Sequence, residues 1–179
     1  MNRYHPLSKL LHWLMAVLIL VAFGIGLAMA DAPLSPKVLA QFSYHKWIGI
    51  TVLALVALRL LWRLLKGVPA MPDSMKPWEK LAAHLGHLGL YLLMIGVPLV
   101  GWLMSSAKGV PVVYFKLVRL PDLIGPDKAL GEQLAEVHET LAWLMVALIV
   151  VHVLAALKHH FVNRDTVLRR MLPFAKVEE

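Results

Sequence analysis

Apolar residues gather in four long blocks, and charge is confined almost entirely to the segments between them. Leu10–Ala30, "LLHWLMAVLILVAFGIGLAMA", holds no charged residue, and neither do Leu81–Ala107 and Thr140–Leu157. Trp47–Trp62 holds one, Arg59. A helix that crosses a bilayer needs about 20 predominantly apolar residues. Each block reaches that with its flanks, and the pattern predicts helices over about 8–30, 38–65, 78–106 and 131–161. The expected fold is all-α, a single integral membrane domain over residues 1–179 built as a transmembrane four-helix bundle. Runs this long argue against the other reading, a large soluble helical core.

The breaks are rich in proline. "DAPLSPK" (Asp31–Lys37) and "KGVPAMPDSMKP" (Lys66–Pro77) separate the first three blocks. "KGVPVVYFKLVRLPDLIGPDKALGE" (Lys108–Glu132) is the longest connection, and its apolar pieces, Val112–Phe115 and Leu117–Leu120, suit the membrane interface. Pro98 is expected to kink the third helix. The first block has basic flanks and an "AMA" at Ala28–Ala30 that imitates a cleavage site. Its apolar run exceeds the roughly 7–15 residues of a signal core, so it is expected to be a helix.

Composition agrees with the pattern. The 179 residues are 59% hydrophobic and 16% charged, with mean hydropathy +0.68. No cysteine is present. That excludes disulfides, cysteine-held iron–sulfur clusters and covalent haem attachment through C-x-x-C-H. A net charge of +7 in a soluble protein would point to nucleic acid. In a membrane protein it points instead to cytoplasmic segments facing anionic lipid, so no nucleic-acid partner is expected. With both termini on one side, that side carries eleven Lys and Arg and the other six, leaving out Arg59 within the second helix. The termini are therefore expected in the cytoplasm, with the chain multi-pass in a bacterial inner membrane.

Most of the nine histidines lie in or at the apolar blocks, where an ionisable group is costly and functional by default. His12 is near the start of the first helix and His45 near the start of the second, which begins on the opposite side. His138 and His152 sit in the fourth helix, 14 residues apart. That spacing turns to within about 40° of four full turns and rises about 21 Å. Both imidazoles therefore leave one face, His138 level with His45 and His152 level with His12. Two stacked pairs suit two flat cofactors with axial histidine ligands, and haem iron takes such ligands inside helix bundles. Zinc would need four ligands gathered at one level.

His84 and His87, in "LAAHLGHLGLY", form a polar stripe with Tyr91 near the start of the third helix. Two readings stand. They border a quinone pocket beside the His12/His152 level, or they hydrogen-bond haem propionates or neighbouring backbone. Arg59 lies 14 residues after His45, hence on the same helix face but one level deeper. It either pairs with a propionate or snorkels to the cytoplasm. Gly86, Gly89, Gly96 and Gly101 are candidates for close approach of helices or cofactor. His5, His159 and His160 flank the blocks and are expected to be solvated or to face headgroups.

The stretches "LHWLM" around His12, "FSYHKWIGI" around His45, "LAAHLGHLGLYLL" and "HETLAWL…H…AALKHHF" resemble the bacterial cytochrome b561 family. The resemblance runs from the first helix to "LRRMLP" in the tail. It implies two non-covalent b haems, one on His12 and His152 and the other on His45 and His138, in agreement with the depths worked out above. It also implies electron transfer between a periplasmic donor and membrane quinone. Some members are superoxide oxidases, which implies superoxide as donor and ubiquinone as acceptor. The outer side carries Lys37, Lys46, Lys108, Lys116, Arg119 and Lys128 to draw in a small anion. Asp31, Asp122, Asp127, Glu132, Glu136 and Glu139 nearly cancel them. No residue is singled out as catalytic. The alternative is a cytochrome b subunit docked to a hydrogenase or dehydrogenase, with no substrate of its own and a redox protein as partner. A non-redox carrier or metal-binding membrane protein is the third reading.

Overall fold

A computed structural model describes residues 3–173, so Lys176, counted among the terminal charges above, lies outside the described residues. Four helices are long and apolar enough to cross a membrane: α1 (Pro6–Ala30), α2 (Pro36–Lys66), α3 (Pro77–Ala107) and α4 (Lys128–Phe161). They match the expected spans within three residues at every end. Proline opens α1, α2 and α3, where its missing N–H is no loss because the first helical N–H groups have no partner anyway. The Asp127 carboxylate accepts the Leu130 N–H at 3.0 Å, which starts α4 three residues before the expected 131. Gly67, at φ 68°, ends α2 in the left-handed region that a glycine enters without strain. Pro98 does not terminate α3, which runs on to Ala107.

Ile19, Val52, Leu93, Val97 and Met145 meet in one core, so all four helices contribute. At Gly89 a Cβ would stand 2.9 Å from Leu148 Cδ2, so α3 and α4 approach more closely there than a larger residue allows. No span has more than 17% of its most apolar window buried by protein. The rest of that apolar surface faces outward, as a bundle solvated by lipid requires.

The α1–α2 and α3–α4 connections share one end, the hairpin end; the chain termini share the other. At the hairpin end β1 (Val113–Tyr114) and β2 (Val118–Arg119) pair antiparallel. The interface segments expected from the sequence thus form a small hairpin. Leu117 N–H donates to Tyr114 O at 3.0 Å, and Phe115 and Lys116 between them have φ 49° and 62°. Positive φ at both central positions is normally left to Asn-Gly. Trp47 Nε1 donates to Val113 O at 2.7 Å, and the Thr51 and Tyr114 hydroxyls lie 2.8 Å apart, pinning the hairpin to α2.

At the terminus end, α5 (Val167–Met171) lies across the bundle. Lys9 Nζ donates to Leu172 O and Trp13 Nε1 to Met171 O, each at 3.0 Å, while Arg170 reaches Ala70 O. His159 departs from expectation. It is 7% exposed rather than solvated, because the turn after α4 returns Asp165 to its Nδ1 and brings Asn163 alongside. His5 accepts the Leu7 N–H at the start of α1 and packs edge-on against Trp62. His160 is half-buried against Phe161.

Candidate functional site: two stacked imidazole pairs

The histidines pair as their depths require. His45 of α2 and His138 of α4 have ring centroids 5.9 Å apart, and His12 of α1 and His152 of α4 have theirs 6.2 Å apart. Two imidazoles on opposite sides of one metal, each nitrogen about 2 Å from it, place their centroids about 6 Å apart. Both pairs meet that distance. Among the described residues no group of three or more His, Cys, Asp or Glu is placed to hold a metal ion. The donor sets therefore come in twos, which suits an ion that already carries its in-plane ligands, as haem iron does.

The hairpin-end pair is anchored by main chain. The His45 Nδ1 lies 2.9 Å from Ala22 O in α1, and the His138 Nδ1 lies 3.0 Å from Val97 O in α3. A carbonyl can only accept, so each Nδ1 donates and carries the ring proton. That leaves the Nε2 lone pair free for a metal and fixes the ring's rotation. Two glycines make room. A Cβ at Gly26 would sit 3.4 Å from His45 Cε1, and one at Gly101 would sit 2.9 Å from His138 Cε1.

The terminus-end pair has different company. His87 of α3 lies with its ring centroid 5.5 Å from that of His152, a third imidazole beside the pair. Arg59 sits at the same level: its Nε donates to the Tyr91 hydroxyl at 3.1 Å and its NH1 to Ser8 O at 2.8 Å. Two bonds leave the other guanidinium N–H groups available, since Arg has five. His84 is separated from this cluster. It is exposed, and its Nδ1 donates to Lys80 O at 2.7 Å within its own helix.

Sequence reasoning found the four paired histidines, Arg59, His87 and Tyr91, and it foresaw close approach at Gly89 and Gly101. Gly86 and Gly96 face open space instead. Gly26, Ala22 and Val97 were missed. For Gly26 a signal existed: it lies four residues, about one turn, after Ala22 on the α1 face that meets His45.

Two imidazole pairs at ligand spacing, stacked in an apolar four-helix bundle, are what the comparisons with known proteins then explain. The family model for prokaryotic cytochrome b561 matches residues 3–174. The chain belongs to that family. It is 35% identical to cytochrome b561 homolog 2 of Escherichia coli K12, over 96% of this chain and 92% of the relative. It is 30% identical to a probable superoxide oxidase CybB of Yersinia pestis, over 96% and 97%. It is also 30% identical to a cytochrome b562 of Cereibacter sphaeroides, over 94% of each. As a prokaryotic cytochrome b561 it is a bacterial membrane protein of electron transfer, and membership implies b-type haem. The paired histidines fit that group in number, spacing and, at the hairpin end, tautomer.

Proposed function

We propose that this chain is a dihaem b cytochrome that takes electrons from superoxide at the hairpin end and delivers them to ubiquinone at the terminus end, with both termini in the cytoplasm. The observation that carries the reading is the two imidazole pairs at 5.9 and 6.2 Å. They stand about 21 Å apart along α4. Superoxide rests on the relative named a probable superoxide oxidase. The net reaction balances as two superoxide anions, one ubiquinone and two protons giving two dioxygen molecules and one ubiquinol.

Bound haem b supplies a one-electron couple at each pair. The chain's own residues do the rest. His45 and His138 present Nε2 because their Nδ1 protons are held by Ala22 and Val97. Arg59 places positive charge at the His12/His152 level, where a propionate offsets the cost of its burial. His87 and Tyr91 offer donors there for a quinone oxygen and a path for its protons, with His84 on the exposed rim. The apolar bundle between the levels keeps water from short-circuiting proton and electron.

Stopped-flow mixing of the purified protein with superoxide tests this. Rapid appearance of reduced b-haem absorbance is expected, with return to the oxidised spectrum when ubiquinone is added. Reduction no faster than superoxide's own dismutation would overturn superoxide as donor, and reduced protein unaffected by ubiquinone would overturn the acceptor.

A further inference from the structure

Beside the hairpin lies a groove of about 250 Å³, lined by Leu39, Ala40, Ser43, Tyr44 and Trp47 of α2 and by Lys116 from the hairpin tip. Its volume far exceeds the roughly 30 Å³ that one water occupies. Its wall is aromatic: Tyr44 and Trp47 pack edge-on with centroids 5.3 Å apart, and Phe115 lies over Trp47 at 5.0 Å. Ser43 gives its hydroxyl proton to Leu39 O, and Trp47 gives its N–H to Val113 O. That leaves two donors facing the groove. The Lys116 ammonium and the Tyr44 hydroxyl make no hydrogen bond or ion pair among the described residues.

The hairpin presents Lys116 at a conformational cost. Phe115 and Lys116 both hold positive φ, which residues with a Cβ adopt rarely and which marks positions held for a purpose other than stability. The result sets Phe115 on Trp47 and Lys116 over the groove. Around its rim the surface is apolar and outward-facing: Leu39 is 58% exposed, Phe115 53% and Leu117 84%. A cation and a phenol among exposed apolar side chains, beside the first turns of a membrane-spanning helix, match the layering of a lipid molecule. Tyr and Trp favour that depth.

We propose that this groove is a binding site for an anionic phospholipid, its phosphate taken by Lys116 and Tyr44 and its acyl chains laid along Leu39 and the hairpin's apolar edge. Both available groups are donors, so the charge favours a phosphate without a compensating ammonium, as in phosphatidylglycerol. The site braces the hairpin against α2 one helical turn from His45.

The test uses the full-length cytochrome in lipid nanodiscs, followed by native mass spectrometry to count retained lipid. Phosphatidylglycerol is expected to be retained over phosphatidylcholine, and Lys116→Ala to lower that preference by about fivefold, the contribution of one interfacial lysine. Tyr44→Phe should lower it less. Lys128→Ala removes the same charge from the same end of the bundle and should leave it unchanged. Equal retention of both lipids, or equal effects of Lys116→Ala and Lys128→Ala, would overturn the site. Displacement of the lipid by inorganic phosphate would overturn the lipid as its occupant, and so would a co-purifying protein that shields Lys116 from chemical modification in either lipid.

Discussion

At the hairpin end His45 and His138 each hand a ring proton to a carbonyl of a neighbouring helix, and each ring is met by a glycine. At the terminus end no hydrogen bond among the described residues holds His12 or His152. They sit instead beside His87, Arg59 and Tyr91. Both pairs have ligand spacing, so the difference lies in what surrounds them. The first is fixed in tautomer and rotation by atoms that cannot change their chemistry. The second is surrounded by side chains that can give a proton or carry charge. A rigid, dry pair suits a site that only passes an electron, and a polar, adjustable one suits a site where electron and proton must meet.

The largest effects come from removing ligands, and the two levels should respond differently. Replacing His45 by Ala leaves His138 with no second imidazole nearby, so the variant should lose one haem completely, read as a halved pyridine haemochrome yield. Replacing His12 by Ala leaves His152 with His87 at 5.5 Å, so part of the second haem should remain with a shifted spectrum. Combining His12→Ala with His87→Ala should abolish that remainder. Equal losses in His45→Ala and His12→Ala would mean that His87 is no reserve ligand and that the contrast is superficial. All haem should be extracted by acid acetone, since no cysteine anchors it.

Next in size is the packing of glycine against the ligand ring. Gly101→Ala puts a methyl 2.9 Å from His138 Cε1, against a ring already tethered to Val97 O. The ring must swing, and its hydrogen bond goes with it. Loss of such an outer partner costs about 10- to 100-fold in metal affinity. Gly96→Ala, on the same helix but facing open space, should leave haem affinity unchanged. Haem titration into the apo-protein separates the two, and equal affinities would remove the steric argument.

Those partners also mark the limit of what the sequence discloses. The helices were legible because lipid demands long apolar runs, and the pairing because a histidine in such a run needs a reason and 14 residues return to one helix face. The anchoring atoms were not, because a main-chain carbonyl has no signature: Ala22 and Val97 serve through geometry alone. The hairpin escaped because Phe115 and Lys116 fill a turn where Asn-Gly would be the signal. His159 escaped because its partner Asp165 comes from the turn beyond the helix, and helical periodicity says nothing of it.

A smaller effect is expected at the polar stripe. His87→Leu should slow reoxidation of reduced haem by ubiquinone by about 100-fold, the scale of a lost general acid. His84→Leu, at an exposed residue bonded within its own helix, should slow it much less. Both variants should keep two haems. If the two slow equally, the quinone is held at the rim rather than beside His152. If His87→Leu loses haem, the third imidazole is a structural part of the pair.

The smallest expected effect isolates charge. Arg59 is a permanent cation at the His12/His152 level, tied to Tyr91 and to Ser8 O. A reduced haem carries one electron more than an oxidised one, so a nearby positive charge stabilises the reduced form. Arg59→Gln removes that charge and should lower the midpoint potential of the terminus-end haem by tens of millivolts, the order expected of one charge at about 10 Å in a partly polarisable interior. The hairpin-end haem, about 21 Å away along the bundle, should move far less. Arg59→Lys keeps the charge but cannot reproduce a planar guanidinium's bonds to both Tyr91 and Ser8. It should hold the potential near its original value even if quinone reactivity changes. Redox titration of the two haems, resolved by their spectra, gives both shifts at once. Equal movement of the two potentials in Arg59→Gln would show that Arg59 acts through the whole bundle, and it would break the electrostatic half of the contrast between the two levels.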